Sequence, residues 1–199
     1  MESVPPSLLE QARKQVEESC AVQRKISPEL LSSLCSLAQR TAESLRAGRQ
    51  ILFCGNGGSA ADAQHLAAEF VGRFLLERRP LPAQALAANT SALTAIANDF
   101  GFESVFSRQV EAFGSPGDIL IAISTSGNSP NILRAAESAR RIGLYTAGLT
   151  GAGGGLLKDC VDLLLAVPSS ETQRIQEAHI LLGHIYCSLV ESLFVKGNS

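Results

Sequence analysis

The chain has 199 residues, of which 45% are hydrophobic, enough for one domain with a sizeable core. Its net charge of -2 gives no sign of the basic surface with which proteins bind nucleic acids. The five cysteines are odd in number and form no CxxC pair, which argues against a disulfide framework or a zinc–cysteine cluster and is typical of reduced thiols in the cytoplasm.

Apolar segments alternate along the chain with segments of helical periodicity. Helices are predicted over residues 6–25, over a segment that Ser27 and Pro28 open and that runs to about residue 47, and over 59–76, 90–113, 129–142 and 171–196. Strands are predicted over residues 51–54, 83–87, 118–123, 144–149 and 161–167. Fully apolar strands that alternate with helices indicate an α/β fold with a parallel sheet covered on both faces.

The termini carry no pattern of a targeting or membrane segment. The first residues lack the charged and then apolar pattern of a signal peptide. The apolar stretch 178–195 contains two histidines and a glutamate, so it predicts a buried helix and not a membrane span. We therefore expect a cytoplasmic protein without a membrane or nucleic-acid partner.

A glycine-rich loop follows the first predicted strand and opens a helix. Residues 55–60 match the dinucleotide fingerprint G-x-G-x-x-A, but the second strand ends in Leu-Ala-Ala-Asn, without the acidic residue that binds a ribose. No Gly-Lys-Ser/Thr sequence of a phosphate-binding Walker loop occurs. The loop predicts close approach of the backbone to an anion or polar oxygen, the alternative being a plain strand-to-helix turn.

A second loop, after the third strand, is rich in hydroxyl groups. Four hydroxyl residues lie within six positions: Ser124, Thr125, Ser126 and Ser129. Ser129 can cap the following helix, whose first turn suits Pro130. Hydroxyls and free amides at a helix N-terminus favour a phosphate monoester, and the absence of Lys and Arg from the loop suits a small sugar phosphate better than a triphosphate. A polar capped turn is the alternative.

Candidate acids and bases lie on two helices. His65 and Glu69 are four residues apart and share one face, while Gln176 and His184 lie on the last helix. A carboxylate and an imidazole can divide the two proton transfers of an aldose–ketose interconversion. The alternative is an exposed ion pair and a core histidine bonded to the backbone, the interpretation that we keep for His179.

These motifs together resemble the sugar isomerase (SIS) domain family and, within it, the phosphoheptose isomerases. The resemblance covers about residues 30–192. It rests on Cys-Gly-Asn-Gly-Gly-Ser (54–59), His65 with Glu69, Ala-Asn-Asp-Phe-Gly-Phe (97–102), Ser-Thr-Ser-Gly-Asn-Ser (124–129), Arg-Ile-Gln-Glu-Ala-His (174–179) and His184. Any one motif alone would be a weak signal, but the set is highly specific.

The resemblance implies a three-layer αβα SIS domain with a central parallel five-stranded sheet and additional N-terminal helices. It implies a single domain over residues 1–199, with 1–48 as a helical extension that packs in the oligomer, and a homotetramer with active sites at subunit interfaces. The reaction would convert sedoheptulose 7-phosphate to D-glycero-D-manno-heptose 7-phosphate through an enediol, for lipopolysaccharide core or surface glycan synthesis.

The resemblance also implies roles for individual residues. Glu69 would be the base and His184 the acid, and Ser124, Thr125, Ser126 and Ser129 would hold the phosphate. The remaining substrate contacts would come from Asn56, Gly57, Gly58, Ser59, Asn98, Asp99, Glu69 and Gln176. One zinc ion per subunit would be bound by His65, Glu69, Gln176 and His184.

Two tensions accompany these implied roles. Gln176 and His184 are eight residues apart, about 12 Å along a helix, so one ion joins them only if long side chains lean together or the residues come from different subunits. A Glu and a His bound to zinc are also less available as free base and acid. Some relatives carry an acidic residue where this chain has Gln173, to which we assign no role.

Three alternative functions are compatible with the sequence. One is a non-enzymatic SIS protein, like the replication regulator that binds the DnaA initiator; that regulator lacks the carboxylate and imidazole matching Glu69 and His184, whose presence here favours an enzyme. Another is an SIS isomerase of a pentose or hexose phosphate. The third is a dinucleotide-dependent enzyme, which the missing ribose-binding acid disfavours.

Overall fold

The structure, a computed structural model, describes residues 5–196, which form five strands, eight α-helices and one 3-10 helix. In chain order these are α1 (Pro6–Arg24), α2 (Pro28–Arg46), β1 (Ile51–Gly55), α3 (Gly58–Val71), β2 (Ala83–Ala85), α4 (Thr90–Phe100), the 3-10 helix (Phe102–Ser104), α5 (Ser107–Phe113), β3 (Ile119–Ile123), α6 (Pro130–Ile142), β4 (Tyr145–Thr150), α7 (Leu157–Cys160), β5 (Leu163–Ala166) and α8 (Thr172–Lys196).

The five strands form one parallel sheet in the order β2-β1-β3-β4-β5, which confirms the predicted α/β fold. Because successive side chains of a strand point to opposite faces, β1 supplies two separate cores. Phe53 packs with α2, α3 and α8 on one face, and Leu52 packs with α5 and α6 on the other. The result is the predicted three-layer αβα arrangement.

The two N-terminal helices differ in their relation to this core. Helix α2 starts at the predicted cap, where the Ser27 hydroxyl accepts from the Leu30 amide, and it buries Leu34, Leu37 and Leu45 against α8 and the sheet. Each fully buried leucine contributes about 1.5–3 kcal/mol, so α2 belongs to the core of its own chain. Helix α1 has no buried residue.

Helix α8 is long and apolar enough, by composition, to cross a membrane, with a mean hydropathy of 1.5 in its most apolar window. In the fold it lies against both α2 and α3, and it buries Ala178, Leu182 and Val190 in the core. A core helix of this kind meets the same criteria of length and composition, and the prediction of a buried helix for this segment is confirmed.

Two of the predicted helices are wrong in extent. The helix predicted over 59–76 ends at Val71, because Gly72 leaves helical geometry there and the next amides bond to Glu191 instead. The helix predicted over 90–113 is divided into α4, the 3-10 helix and α5, because Gly101 adopts a φ of 84° that a helix cannot contain. Strands β2 and β5 are also shorter than predicted.

Candidate active site

The sheet order creates a crevice between β1 and β3. The chain continues from β1 to β2 on one side and from β3 to β4 and β5 on the other, so the connections diverge above these two neighbouring strands. Ligands of open α/β sheets bind at such a switch point, at the carboxyl ends of the strands. The glycine loop that follows β1 and the hydroxyl loop that follows β3 both lie there.

Two asparagine side chains join the loops across this crevice. Each of the amides of Asn56 and Asn131 donates to the oxygen of the other, at 2.9 Å in both directions. Beside the pair lies a cleft of about 270 Å³. Its lining residues are Asn56, Phe102, Glu103, Ser129, Pro130 and Asn131. Sequence reasoning missed Asn131; the available signal was an amide side chain in the first turn of a helix that follows the hydroxyl loop.

The hydroxyl loop directs neutral hydrogen-bond donors into the crevice. The Ser124 and Ser129 hydroxyls lie 3.1 Å apart. Ser129 occupies the N-cap position of α6, as predicted, but its side chain makes no capping hydrogen bond to the helix. Within the described chain, the backbone amides of Thr125, Ser126 and Ser129 also make no hydrogen bond. Free amides and hydroxyls at the start of α6 suit a phosphate dianion.

Close packing holds this loop in place. Gly127 has a φ of 67°, and a Cβ atom there would lie 2.1 Å from the carbonyl oxygen of Gly154. The Gly127 carbonyl accepts from the Leu157 amide at 2.9 Å, and the Asn128 side chain accepts from the Leu156 amide, also at 2.9 Å. The hydroxyl groups and free amides of this loop are therefore held in a fixed arrangement by its packing.

Two histidines and a glutamate meet between α3 and α8. The Nε2 atoms of His65 and His184 lie 2.8 Å apart, and the same His65 nitrogen lies 3.5 Å from the Glu69 carboxylate. The ring of Phe74 stacks on His184, with 5.6 Å between the ring centres. Only one proton can lie between the two imidazole nitrogens, so one ring donates a hydrogen bond and the other accepts it. The pair can therefore both accept and donate protons.

Asp62 is a further acidic residue beside this cluster. Burial raises the pKa of Asp62, and the nearby His65 and His184 partly offset that rise. Its Oδ2 atom is buried and has no hydrogen-bond partner among the described residues. Sequence reasoning missed Asp62, although its spacing of three residues before His65 and seven before Glu69 places all three on one helix face.

Gln176 lies away from the histidine cluster. A Cβ atom on Gly58 would meet the Gln176 amide nitrogen at 2.6 Å, so the Gln176 side chain packs directly over the glycine loop. Helices α3 and α8 run side by side, since Gly58 contacts Gln176 near their starts and His65 contacts His184 two turns later. Along α8, the backbone of Gln176 is therefore about 12 Å from that of His184 within one chain.

The donor types of the cluster fit zinc. Imidazole nitrogens and carboxylate oxygens are ordinary zinc ligands, and the unpartnered buried oxygen of Asp62 favours positive charge nearby. No three of the described His, Cys, Asp and Glu side chains already form a metal-coordinating group. Two nitrogens that bind one tetrahedral zinc lie about 3.3 Å apart, so His65 and His184 would have to separate slightly from 2.8 Å.

The other predicted contact residues occupy varied positions. Asn98 and Asp99 are exposed near the end of α4, where the Asn98 amide donates to the Asp99 carboxylate at 2.8 Å. Gly57 and Gly58 are exposed in the glycine loop, whereas Ser59 packs beneath it against Gly55.

His179 is a core residue, as predicted. It is 1% exposed, and its ring nitrogen lies 3.2 Å from the Thr150 carbonyl oxygen. Burial lowers the pKa of His179 to about 4, against which the hydrogen bond acts only weakly. The residue is therefore neutral near pH 7 and separate from the His65–His184 pair.

Comparison with known proteins places this geometry in context. Residues 16–151 match the family model described as SIS domain. A phosphoheptose isomerase from Rhodospirillum rubrum is 62% identical over 148 residues, which are 74% of this chain and 79% of that protein. One from Nitratiruptor sp. is 53% identical over 187 residues, 94% of this chain and all of that protein. The solved phosphoheptose isomerase from Neisseria gonorrhoeae superimposes with a TM-score of 0.88 at 44% identity, over 93% of this chain and 99% of that one.

Proposed function

Because the chain belongs to the SIS domain family and, within it, to the phosphoheptose isomerases, we propose that it interconverts sedoheptulose 7-phosphate and D-glycero-D-manno-heptose 7-phosphate. The observation that carries this proposal is the contact of His65 with both His184, at 2.8 Å, and Glu69, at 3.5 Å, in a chain that also presents a hydroxyl loop at its sheet crevice. The product serves the synthesis of heptose-containing lipopolysaccharide or surface glycans.

The hydroxyl loop binds the phosphate. The hydroxyls of Ser124, Thr125, Ser126 and Ser129 and the free amides at the start of α6 surround the ester oxygens with neutral donors. The phosphate lies on C7, at the opposite end of the sugar from the reacting carbons C1 and C2. Phosphate binding therefore orients the substrate without taking part in the chemical step.

Glu69 and His184 carry out the proton transfers. The Glu69 carboxylate removes a proton from C1 of the ketose, and the electron pair left on carbon forms the enediol as the C2 oxygen gains a proton. The same carboxylate returns the proton to C2, which produces the aldose. His184 moves the other proton between the O1 and O2 atoms. His65, whose Nε2 atom contacts that of His184, is a second group that can accept this proton.

We also infer one zinc ion per subunit, bound by His65, Glu69 and His184 of one chain. While zinc is bound there, Glu69 and His184 would be less available as free base and acid. Gln176 would complete the ligand set only from another subunit, since it lies over Gly58 in its own chain. Bound zinc polarises a carbonyl oxygen as a Lewis acid. Zinc titration by calorimetry should give one site per chain in the wild type and a much weaker site in His65→Ala.

We further propose a homotetramer in the cytoplasm, and exposed apolar side chains are consistent with the assembly. Leu8, Leu9 and Val16 of α1 and Phe100 and Phe102 near the cleft are each at least half exposed in the single chain. Covering these surfaces with neighbouring subunits would bury them and enclose the cleft. Sedimentation equilibrium of the purified protein measures the assembly directly.

The function is tested by proton NMR of the purified protein with sedoheptulose 7-phosphate in deuterated water, with and without zinc. We expect an aldoheptose phosphate that carries solvent deuterium at C2. Glu69→Gln should abolish turnover but leave the fold and phosphate binding intact. Glu43→Gln, the same change at an exposed carboxylate on α2, serves as the control and should behave as wild type. If a folded wild-type protein shows no conversion and no deuterium exchange, the proposal is contradicted, and another sugar phosphate becomes the favoured substrate.

A further inference from the structure

Arg78 and Glu191 form a buried ion pair next to both helices of the proposed site: α3, which carries Glu69, and α8, which carries His184. The Arg78 side chain is 4% exposed and that of Glu191 1% exposed, and Arg78 Nε lies 3.0 Å from Glu191 Oε1. Neither residue belongs to the predicted site. A buried pair is weak evidence for stability, because replacement by apolar residues is often neutral, so its contacts need another explanation.

Arg78 caps the last turn of α3, the turn that contains Glu69. Its guanidinium donates to the carbonyl oxygens of Glu69 at 2.8 Å, Phe70 at 2.9 Å and Gly72 at 3.1 Å. These carbonyls lie where a helix leaves its acceptors without intrahelical partners. One guanidinium therefore fixes the backbone from which the Glu69 carboxylate projects.

Glu191 fixes the segment that supports His184. Its carboxylate accepts hydrogen bonds from the amides of Phe74 at 3.0 Å, Leu75 at 2.7 Å and Leu76 at 2.8 Å. The Phe74 ring, oriented by this backbone, stacks on the His184 imidazole at an interplanar angle of 19°. Burial raises the pKa of Glu191, but these bonds and Arg78 outweigh it and leave the pKa below its ordinary value.

We propose that Arg78 and Glu191 are positioning residues that hold the Glu69 carboxylate and the His184 imidazole in the mutual arrangement that proton transfer requires. This inference rests on the proposed isomerase function. Neither residue contacts the reacting groups with its own charge; Arg78 acts through the Glu69 backbone and Glu191 acts through Phe74. Misplacing a catalytic group by a small distance lowers the rate of the chemical step far more than it weakens substrate binding.

The test measures kcat and KM of the full-length protein with sedoheptulose 7-phosphate for Glu191→Gln, Arg78→Lys, Arg78→Met and Phe74→Leu. We expect kcat to fall at least tenfold in Glu191→Gln and Arg78→Met while KM changes less than twofold. Arg78→Lys should retain more kcat than Arg78→Met, since lysine keeps the charge. Phe74→Leu, which leaves the ion pair in place, should also lower kcat severalfold.

Asp118→Asn is the matched control. Asp118 is 2% exposed and accepts from the amides of Gln50 and Ser115 at the amino end of β3, so the substitution disturbs a similar buried carboxylate far from the crevice. It should lower the melting temperature to an extent similar to Glu191→Gln and leave kcat unchanged per folded enzyme.

The outcomes separate the inference from the function. With an active wild type, an unchanged kcat in folded Glu191→Gln, Arg78→Met and Phe74→Leu overturns the inference alone, and so does an equal loss of kcat in Asp118→Asn. A wild type without turnover overturns the function, and the inference with it, because no proton transfer would remain to be positioned.

Discussion

Acidification should destabilise this protein through the buried imidazole of His179. The pKa of His179 is lowered from 6.5 to about 4 in the fold, chiefly by burial. The neutral form is therefore favoured in the folded state, and the unfolded chain binds more protons between these two values. The contribution of the neutral His179 imidazole to the free energy of unfolding is complete above about pH 6.5 and is lost as the pH falls toward 4. Integrating between about pH 7.5 and pH 5 gives a loss of about 2 kcal/mol.

The assay is urea unfolding at these two pH values, at one fixed protein concentration, for wild type and His179→Gln. Glutamine can still donate to the Thr150 carbonyl but does not titrate in this range. The free energy of unfolding should therefore fall about 2 kcal/mol less in the variant than in wild type on acidification. Other titrating groups affect both proteins equally and cancel in the comparison. Equal pH dependence in the two proteins would refute the reasoning.

Three further predictions concern the hydroxyl loop and the assembly of subunits. Ser126→Ala should raise KM about tenfold or more and change kcat little, because it removes one hydrogen bond to a charged group in both ground and transition states; a pure kcat effect in steady-state kinetics would contradict this. Gly127→Ala should lower the urea midpoint more than Gly48→Ala does, because both glycines have positive φ but only Gly127 faces backbone within 2.1 Å; equal shifts would exclude the contact as the cause. Val16→Glu should weaken the tetramer in sedimentation without loss of helix in circular dichroism, because Val16 is 63% exposed in the single chain; an unchanged tetramer would show that α1 is not at the interface.

The sequence predicted the layers of the fold because its strands are short and apolar on both faces. Strands β1 (Ile51–Gly55) and β3 (Ile119–Ile123) are buried at every position. Their continuous apolar sequences therefore indicated strands covered on both faces. The N-terminus of α2 was equally local, since Ser27 and Pro28 provide a cap and a first-turn proline. Local signals failed where a residue distant in sequence sets the end of an element. At the end of α3, the Glu191 carboxylate accepts hydrogen bonds from three backbone amides of the segment that was predicted to continue the helix.

The sequence supplied the candidate site residues but predicted only in part which of them lie together in the fold. Spacing placed His65 and Glu69 on one helix face, and motif resemblance added His184 from a segment more than 100 residues away. The sequence contained no signal that Gln176 packs over Gly58 while His184 meets His65, because that depends on how α8 aligns with α3.

The sequence by itself determined the order of most strands and helices, the positions of the glycine loop and the hydroxyl loop, and the family, since those follow from local periodicity, turn residues and motifs. Only the tertiary structure decided that Asn131 joins Asn56 across the crevice, that a buried Asp62 oxygen without a partner among the described residues lies beside the histidines, and that Arg78 and Glu191 form a buried ion pair next to α3 and α8. The physical reason is that each of these contacts joins atoms whose proximity is set by helix packing over the sheet, and packing depends on the whole chain at once.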